Sequence, residues 1–233
     1  MHYKVVILAG GIGSRMGKFS KYYNKALIPV GGKPAICHIL EKFPEDIEVI
    51  ISINYKKDDL KTYLNYAYPQ RKLTFIEDKP SPEGFKGPGY GLLQCEHSLQ
   101  CPFIFLSVDT LVKEPIPEPT ENWFGIAPVK ETERFCSVKV EDSKVVRIDD
   151  KIKTDNKFAF IGLAGVKDYA HFWQHLGSNK EIIAGELQVS NGFKSLLEKG
   201  LSAKIFTWFD TGAPAAHKHA QANYPNGPGY NGL

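Results

Sequence analysis

The feature that most constrains this chain is a short apolar run leading straight into a glycine-rich loop. Residues Tyr3 to Leu8 pass through Val5-Val6-Ile7 without polar alternation. Such a run reads as a strand buried on both faces, the kind found in parallel sheets covered by helices. The loop that follows, Leu8-Ala9-Gly10-Gly11-Ile12-Gly13-Ser14-Arg15-Met16-Gly17, has glycine at four of its ten positions. Glycine lets the backbone turn with positive φ and lets a ligand approach the N–H groups. Successive N–H groups in a loop of this kind form a concavity that attracts anions. Arg15 adds a fixed fork of donors suited to phosphate oxygens. Strand, loop and arginine together predict a cradle for a nucleoside triphosphate. It is not a P-loop, because no Lys-Ser/Thr pair follows the second glycine. Nor is it a dinucleotide fingerprint, because an arginine intrudes and no helix follows at once.

The rest of the first half alternates strand and helix patterns. Val49–Ile53, Leu73–Ile76 and Phe103–Val108 read as buried strands, the last ending on Asp109. Pro34–Phe43, Asp58–Tyr68 and Gly91–Leu99 have helical spacing, whereas Lys18–Asn24 has no apolar stripe and is expected to be a mobile loop. This alternation implies βαβ units, a mostly parallel sheet and right-handed crossovers. The second half changes rhythm. Short strands are expected at Phe124–Val129, Phe135–Val140, Val145–Ile148, Phe158–Gly165 and Ala203–Phe206. Helices are expected at Lys167–Leu176, Leu187–Lys199 and Thr211–Asn223. No linker divides the chain, so residues 1–223 are expected to form one domain and residues 224–233, rich in Gly and Pro, a flexible tail.

Composition narrows the function classes. The chain has 233 residues, is 42% hydrophobic and 24% charged, and carries a formal net charge of +3. That balance suits a soluble α/β domain and does not point to nucleic acid, which needs a clustered basic face. No apolar run approaches the ~20 residues of a membrane helix, and no leader pattern precedes the first strand, so a cytoplasmic protein is expected. Cys37, Cys95, Cys101 and Cys136 have no CxxC spacing and are expected to be buried free thiols. The histidines form no catalytic constellation; His217 and His219 are expected at the surface.

Longer motifs make the reading specific. The segment from Leu8 to Met16, followed by Lys25-Ala26-Leu27-Ile28-Pro29-Val30 and Gly32-Lys33-Pro34, resembles the N-terminal signature of the sugar-phosphate nucleotidyltransferases. Asp109 at a strand end, Ile148-Asp149-Asp150-Lys151, Phe160-Ile161-Gly162-Leu163, Gly185-Glu186-Leu187 and Trp208-Phe209-Asp210-Thr211-Gly212 resemble further family segments, in order, over about residues 3 to 221. The resemblance implies an α/β fold, a Rossmann-like three-layer sandwich around a mixed, mostly parallel sheet. It implies condensation of a nucleoside triphosphate with a sugar phosphate or similar small phosphorylated acceptor, of the kind that feeds capsule or surface polysaccharide. In length the chain is similar to heptose-phosphate guanylyltransferases and phosphocholine-type cytidylyltransferases. Arg15-Met16-Gly17 also resembles the isoprenoid-pathway cytidylyltransferases and the molybdenum-cofactor guanylyltransferases, which lack the Gly-Glu-Leu and Trp-x-Asp-Thr-Gly features. A catalytically silent nucleotide-binding regulator is the alternative outside enzymes.

The chemistry assigns roles to the matching residues. The acceptor phosphate is already anionic, so the obstacle is repulsion between anions, and catalysis rests on positioning and positive charge. Leu8, Ala9, Gly10, Gly11 and Gly13 are expected to cradle the nucleotide, with Arg15 on the leaving phosphates and Lys25 bridging the α-phosphate and the incoming phosphate. Lys151 is expected to grip the acceptor phosphate, with Lys153 as the alternative on the same strand face. Asp109 and Asp210 are expected to hold Mg²⁺, which takes one or two carboxylates plus phosphates and water. Glu186 is expected either at acceptor hydroxyls or as a helix cap. The loop containing Gly87 and Gly89 is expected at the base, where Gly87-Pro88-Gly89 departs from the family's Gly-Thr-Ala-like step. Base, acceptor and any oligomer are left open.

Overall fold

The computed structural model describes residues 2–230. Strand β1 (Lys4–Leu8) is central in the first half, and helix α1 (Lys18–Tyr22) and helix α2 (Ala35–Leu40) follow it. Next come β2 (Val49–Ile53), α3 (Lys57–Ala67), β3 (Leu73–Glu77), α4 (Pro88–Leu93) and β4 (Phe103–Ser107). These four strands pair in parallel in the order β3-β2-β1-β4, with Val6 facing Ile50 on one side and Phe105 on the other. Period-two alternation sends Val5 and Ile7 into one core with residues of α2 and α3. Val6 enters a second core with Leu92 of α4. Both faces of β1 are thus covered, which is why it reads as a continuous apolar run.

The second half contains β5 (Thr110–Val112), β6 (Trp123–Pro128), β7 (Cys136–Glu141), β8 (Lys144–Asp150) and β9 (Phe158–Val166). Then come α5 (Tyr169–Ser178), α6 (Ser190–Phe193), β10 (Ser202–Ile205), β11 (Trp208–Asp210) and α7 (Pro214–Asn223). The main sheet continues from β4 as β9-β6-β10-β8-β7, and β7 pairs back onto β9. Five strands therefore close on themselves, with the rings of Phe124, Phe160 and Phe193 clustered at centroid distances of 4.2 to 5.4 Å in the adjoining core. The bend that permits closure lies in β9, where the register shifts between Phe160 and Ala164. Gly162 sits in that bend at φ +78°, and a side chain there would collide with Ser107.

The α/β class and the mixed sheet match the sequence expectation, but the sheet is not mostly parallel. Four pairings of the main sheet are parallel and five antiparallel, and the barrel-like ring departs from a plain three-layer sandwich. Residues 18–22 form α1 rather than a loop. Buried Asn24 anchors the segment: its side-chain oxygen accepts from Ala26 N at 2.9 Å and its amide donates to Tyr55 O at 2.7 Å. His217 is buried, not at the surface, and donates to Pro29 O at 2.9 Å; His219 is half-buried and donates to Pro228 O at 2.8 Å. All four cysteines are free, yet only Cys37 and Cys95 are buried; Cys101 and Cys136 are half-buried. The expected flexible tail is pinned through residue 230: Tyr230 is buried, its N–H donates to Trp208 O, and its ring meets the Trp208 ring edge-on. Residues 231–233 of that tail lie outside the described residues. No helix among the described residues is long and apolar enough to cross a membrane.

Candidate active site

The carboxyl ends of β1 and β4 lie side by side, where ligands bind in open α/β sheets. Asp109 follows β4 and directly precedes β5. β5 pairs antiparallel with β11, and the register sets Asp210 opposite Thr110. Thr211 N donates to Asp109 O at 2.9 Å, and Gly212 N donates to Asp210 Oδ1 at 2.7 Å. Two carboxylates about a hundred residues apart in sequence are thereby neighbours. Gly212 shows how tightly the group converges. A Cβ there would lie 2.8 Å from Asp109 Oδ2, 2.9 Å from Asp210 Oδ1 and 3.4 Å from Arg15 Nη2. Lys25 Nζ is ion-paired with Asp109 Oδ2.

The electrostatics separate the two acids. Burial alone pushes the Asp109 carboxyl up, but the Lys25 ammonium and then the Arg15 guanidinium outweigh it and hold the group below its usual value. Asp210 is raised to about 6, by burial first and by the Asp109 charge second; a hydrogen bond from Gly212 and the two cations only partly offset this. Like charges at one site split in this way. A cation shared by both carboxylates would relieve the repulsion.

The glycine loop is shaped for several purposes. Leu8 ends β1 half-buried, and buried Ala9 donates its N–H to Ser52 O at 2.9 Å. Gly11 faces open space, as a phosphate or sugar would require. Gly13 has φ +68° and turns the chain beside Lys25, whose side chain would lie 3.4 Å from a Cβ added there. Arg15 lies in a short 3₁₀ turn, Ser14–Met16, anchored by buried Met16, and its own side chain is exposed. Gly10 has a different partner: a Cβ there would lie 2.4 Å from Asp78 Oδ2.

The remaining predicted residues form separate groups. Lys151 is half-buried at φ +57°, and its N–H donates to Phe135 O at 2.9 Å. Beside it Asp150 accepts from buried Ser190 Oγ at 2.6 Å. Lys153 is exposed. Glu186 is half-buried and accepts from Gln188 Nε2 at 3.2 Å; it lies in a two-residue strand, Glu186–Leu187, so it does not cap the helix that begins at Ser190. Gly87 and Gly89 make room for the chain itself: added Cβ atoms would lie 2.6 Å from Glu186 Cβ and 2.7 Å from Gln188 O. The structure thus unites Arg15, Lys25, Asp109 and Asp210 directly, whereas Lys151 and Glu186 make their contacts with other elements. Sequence reasoning missed Asp78, Ser190 and Gly212. The acidic residue at a strand end was the available signal for Asp78, and the Thr-Gly step for Gly212.

The chain has the fold of the sugar-phosphate nucleotidyltransferases. A UDP-glucose pyrophosphorylase structure complexed with UDP-glucose superposes with a TM-score of 0.79, covering 95% of this chain and 98% of that one at 17% identity. Residues 5–115 match the family model of the MobA-like NTP transferase domain. The bifunctional protein GlmU of Methanococcus vannielii is 27% identical over 225 residues, which is 90% of this chain and 52% of that protein. The D-glycero-alpha-D-manno-heptose 1-phosphate guanylyltransferase of Aneurinibacillus thermoaerophilus is 26% identical over 161 residues, 64% of this chain and 67% of that protein. The chain therefore spans about half the length of its GlmU relatives and most of the nucleotidyltransferase fold. The MobA-like match lies in the parallel half with the glycine loop, Lys25 and Asp109, whereas Asp210 lies beyond it.

Proposed function

We propose that this chain is an enzyme that joins the nucleotidyl group of a nucleoside triphosphate to a sugar phosphate, or a similar small phosphorylated acceptor, and releases pyrophosphate. The observation that carries the reading is the convergence of Arg15, Lys25, Asp109 and Asp210 around Gly212 at the carboxyl ends of β1 and β4. An oxygen of the acceptor phosphate attacks the α-phosphorus. The bond from that phosphorus to the bridging oxygen breaks, and the electron pair leaves with pyrophosphate. No proton need be removed from the nucleophile, so the side chains act by charge and position. Lys25, fixed by Asp109, meets the transferring group; Arg15, exposed and untethered to any strand, follows the leaving phosphates. Lys151 and Ser190, on the ring side, take the acceptor phosphate, and Glu186 its hydroxyls.

The donor set at Asp109 and Asp210 fits Mg²⁺. Both are hard oxygen ligands, they are adjacent, and their mutual repulsion shows in the raised Asp210. Bound there with phosphate oxygens and water, a divalent ion would supply neutralisation of the phosphate charge. Use of a nucleoside triphosphate supports a cytoplasmic setting for the reaction.

Pyrophosphate release is the test, with four nucleoside triphosphates, a panel of sugar 1-phosphates and Mg²⁺. Turnover lost in Asp109→Asn and in Arg15→Ala is expected. Triphosphate binding with no pyrophosphate from any pair would instead make the chain a binding protein on this fold.

A further inference from the structure

Residues 227–230 lie against the strand that carries Asp210. That strand, β11, is three residues long and pairs with β5 along one edge. On this edge Lys113 N donates to Thr207 O at 3.2 Å, and Thr211 N donates to Asp109 O at 2.9 Å. Alternation along an antiparallel strand therefore turns the N–H and C=O of Trp208 to the opposite edge. The segment 227–230 covers it there. Tyr230 N–H donates to Trp208 O. Gly229 lies so close that an added Cβ would be 2.9 Å from Trp208 O and 3.0 Å from Trp208 N. The segment is also tied to α7: Gly227 N donates to Asn223 O, and His219 donates to Pro228 O at 2.8 Å.

The side chain of Tyr230 reaches in two directions. Its ring meets the Trp208 indole edge-on at 5.7 Å, and Phe135 meets the same indole edge-on at 5.9 Å. The buried indole Nε1 has no hydrogen-bond partner among the described residues, so these two rings set the orientation of Trp208. The Tyr230 phenol accepts a hydrogen bond from Arg134. Arg134 pairs with Glu131 at 2.6 Å and lies over the Phe135 ring at 5.8 Å. Phe135 O in turn accepts from Lys151 N at 2.9 Å. Tyr230 thus stands between β11, which ends on Asp210, and the turn that fixes the backbone of Lys151.

We propose that Tyr230 is a positioning residue that sets Asp210 and Lys151 relative to each other, its ring acting through Trp208 and its phenol through Arg134. Two paired strands are marginal alone, and a third element along the free edge of β11 steadies them. The two residues it links serve different substrates. Asp210 belongs to the nucleotide phosphates and Lys151 to the acceptor phosphate, an assignment that rests on the nucleotidyltransferase reading. Attack of one anion on another depends on placement, and an error of about 1 Å costs about 10²-fold in rate.

The experiment reads steady-state kinetics and backbone hydrogen exchange in the full chain. Tyr230→Ala should lower kcat about 10²-fold while the KM for the triphosphate stays within about threefold, because the glycine loop is untouched. Gly229→Val keeps Tyr230 but lifts the segment off β11, and should lower kcat as much. Tyr230→Phe keeps the ring and loses the bond to Arg134. It should leave kcat within about threefold and raise the acceptor KM about fivefold. Arg134→Met should raise that KM equally, and the double variant no further. In Tyr230→Ala the N–H groups of Thr211 and Gly212 should exchange about tenfold faster, while that of Ala9, held by Ser52 O, is unchanged. Faster exchange at all three, additive acceptor effects, or an unaltered kcat in both Tyr230→Ala and Gly229→Val overturns the proposal and leaves the enzyme reading intact. A wild-type chain without turnover, but with the local change in exchange, would sink the enzyme reading and keep the tie between Tyr230 and Asp210. Neither turnover nor a change in exchange would remove both.

Discussion

The two halves of the main sheet solve the problem of presenting chemistry differently. In the parallel half every strand ends at the same edge, so the loop after β1, Ser52, Asp78 and Asp109 converge because the topology points them there. The ring half is antiparallel except where β10 runs parallel to β6, so its strand ends fall at both edges. Its candidate groups instead hang on unusual backbone positions: Lys151 at φ +57°, Ala184 at +52° and Gly185 at +81°. Around them a polar network braces the ring. Buried Asn156 donates to Ser137 Oγ at 2.9 Å and to Asp149 Oδ2 at 2.8 Å, and Arg147 pairs with Asp149 at 2.6 Å. Function in one half follows from strand direction, and in the other from local conformation held by hydrogen bonds.

That contrast can be broken by substitution. In the parallel half Lys25 is part of the structure as well as the site. Lys25→Met should lower kcat/KM at least about 10³-fold and also cost about 3 kcal/mol in denaturant unfolding, because Asp109 loses the cation that holds it ionised beside Asp210. Arg15→Ala should cost about 10²- to 10³-fold in kcat yet leave unfolding unchanged, since its side chain is exposed. Equal stability loss in both variants would erase the distinction between them.

A third test uses pH. Asp210, raised to about 6, binds its proton more tightly when folded than when unfolded. The metal-free protein should therefore lose stability as pH rises from the ordinary carboxylate range through about 6, after which the cost is constant. Asp210→Asn should raise the Tm of the metal-free protein at pH 7.5 by about 3–6 °C, with the gain shrinking to nothing near pH 4. A Tm gain independent of pH would show that packing, not charge, is responsible. The smallest effect belongs to the ring. Lys151→Gly relieves the left-handed backbone and should stabilise the chain by about 0.5 kcal/mol, while the KM for the acceptor phosphate rises about tenfold from the loss of one charged contact. An unchanged acceptor KM would move that role to another cation, such as Lys153.

These regions also differed in how far the sequence disclosed them. The parallel half was readable because its signals are local: Val5-Val6-Ile7 has a period, the glycine loop has a composition, and Asp109 ends an apolar run. Asp210 was readable through the motif around it. The ring was not, because closure depends on register between distant strands, such as Lys144 with Ser202 and Phe158 with Val138. α1 was missed because no apolar stripe marks it; Ser20 Oγ donates to Gly17 O at its start, and Asn24 caps the 3₁₀ turn that follows. Asp78 was missed because its setting needs Gly10, Ser52 and Gly91 from separate elements, and no spacing rule joins them. His217 and the pinned tail were misread because polar and glycine-rich composition says nothing about which backbone carbonyl lies within reach.

The short pairing of β5 with β11 has a consequence for how the chain reaches its working state. Its partners are about a hundred residues apart, and the chain between them must build most of the ring before Trp208–Asp210 can dock. Closing so long a loop is slow compared with forming the local βα units. On refolding, β1 to β4 with their helices can assemble a phosphate-binding loop while Asp109 still lacks its second carboxylate. Nucleotide affinity should recover before turnover does, and the interval between the two would time the arrival of β11.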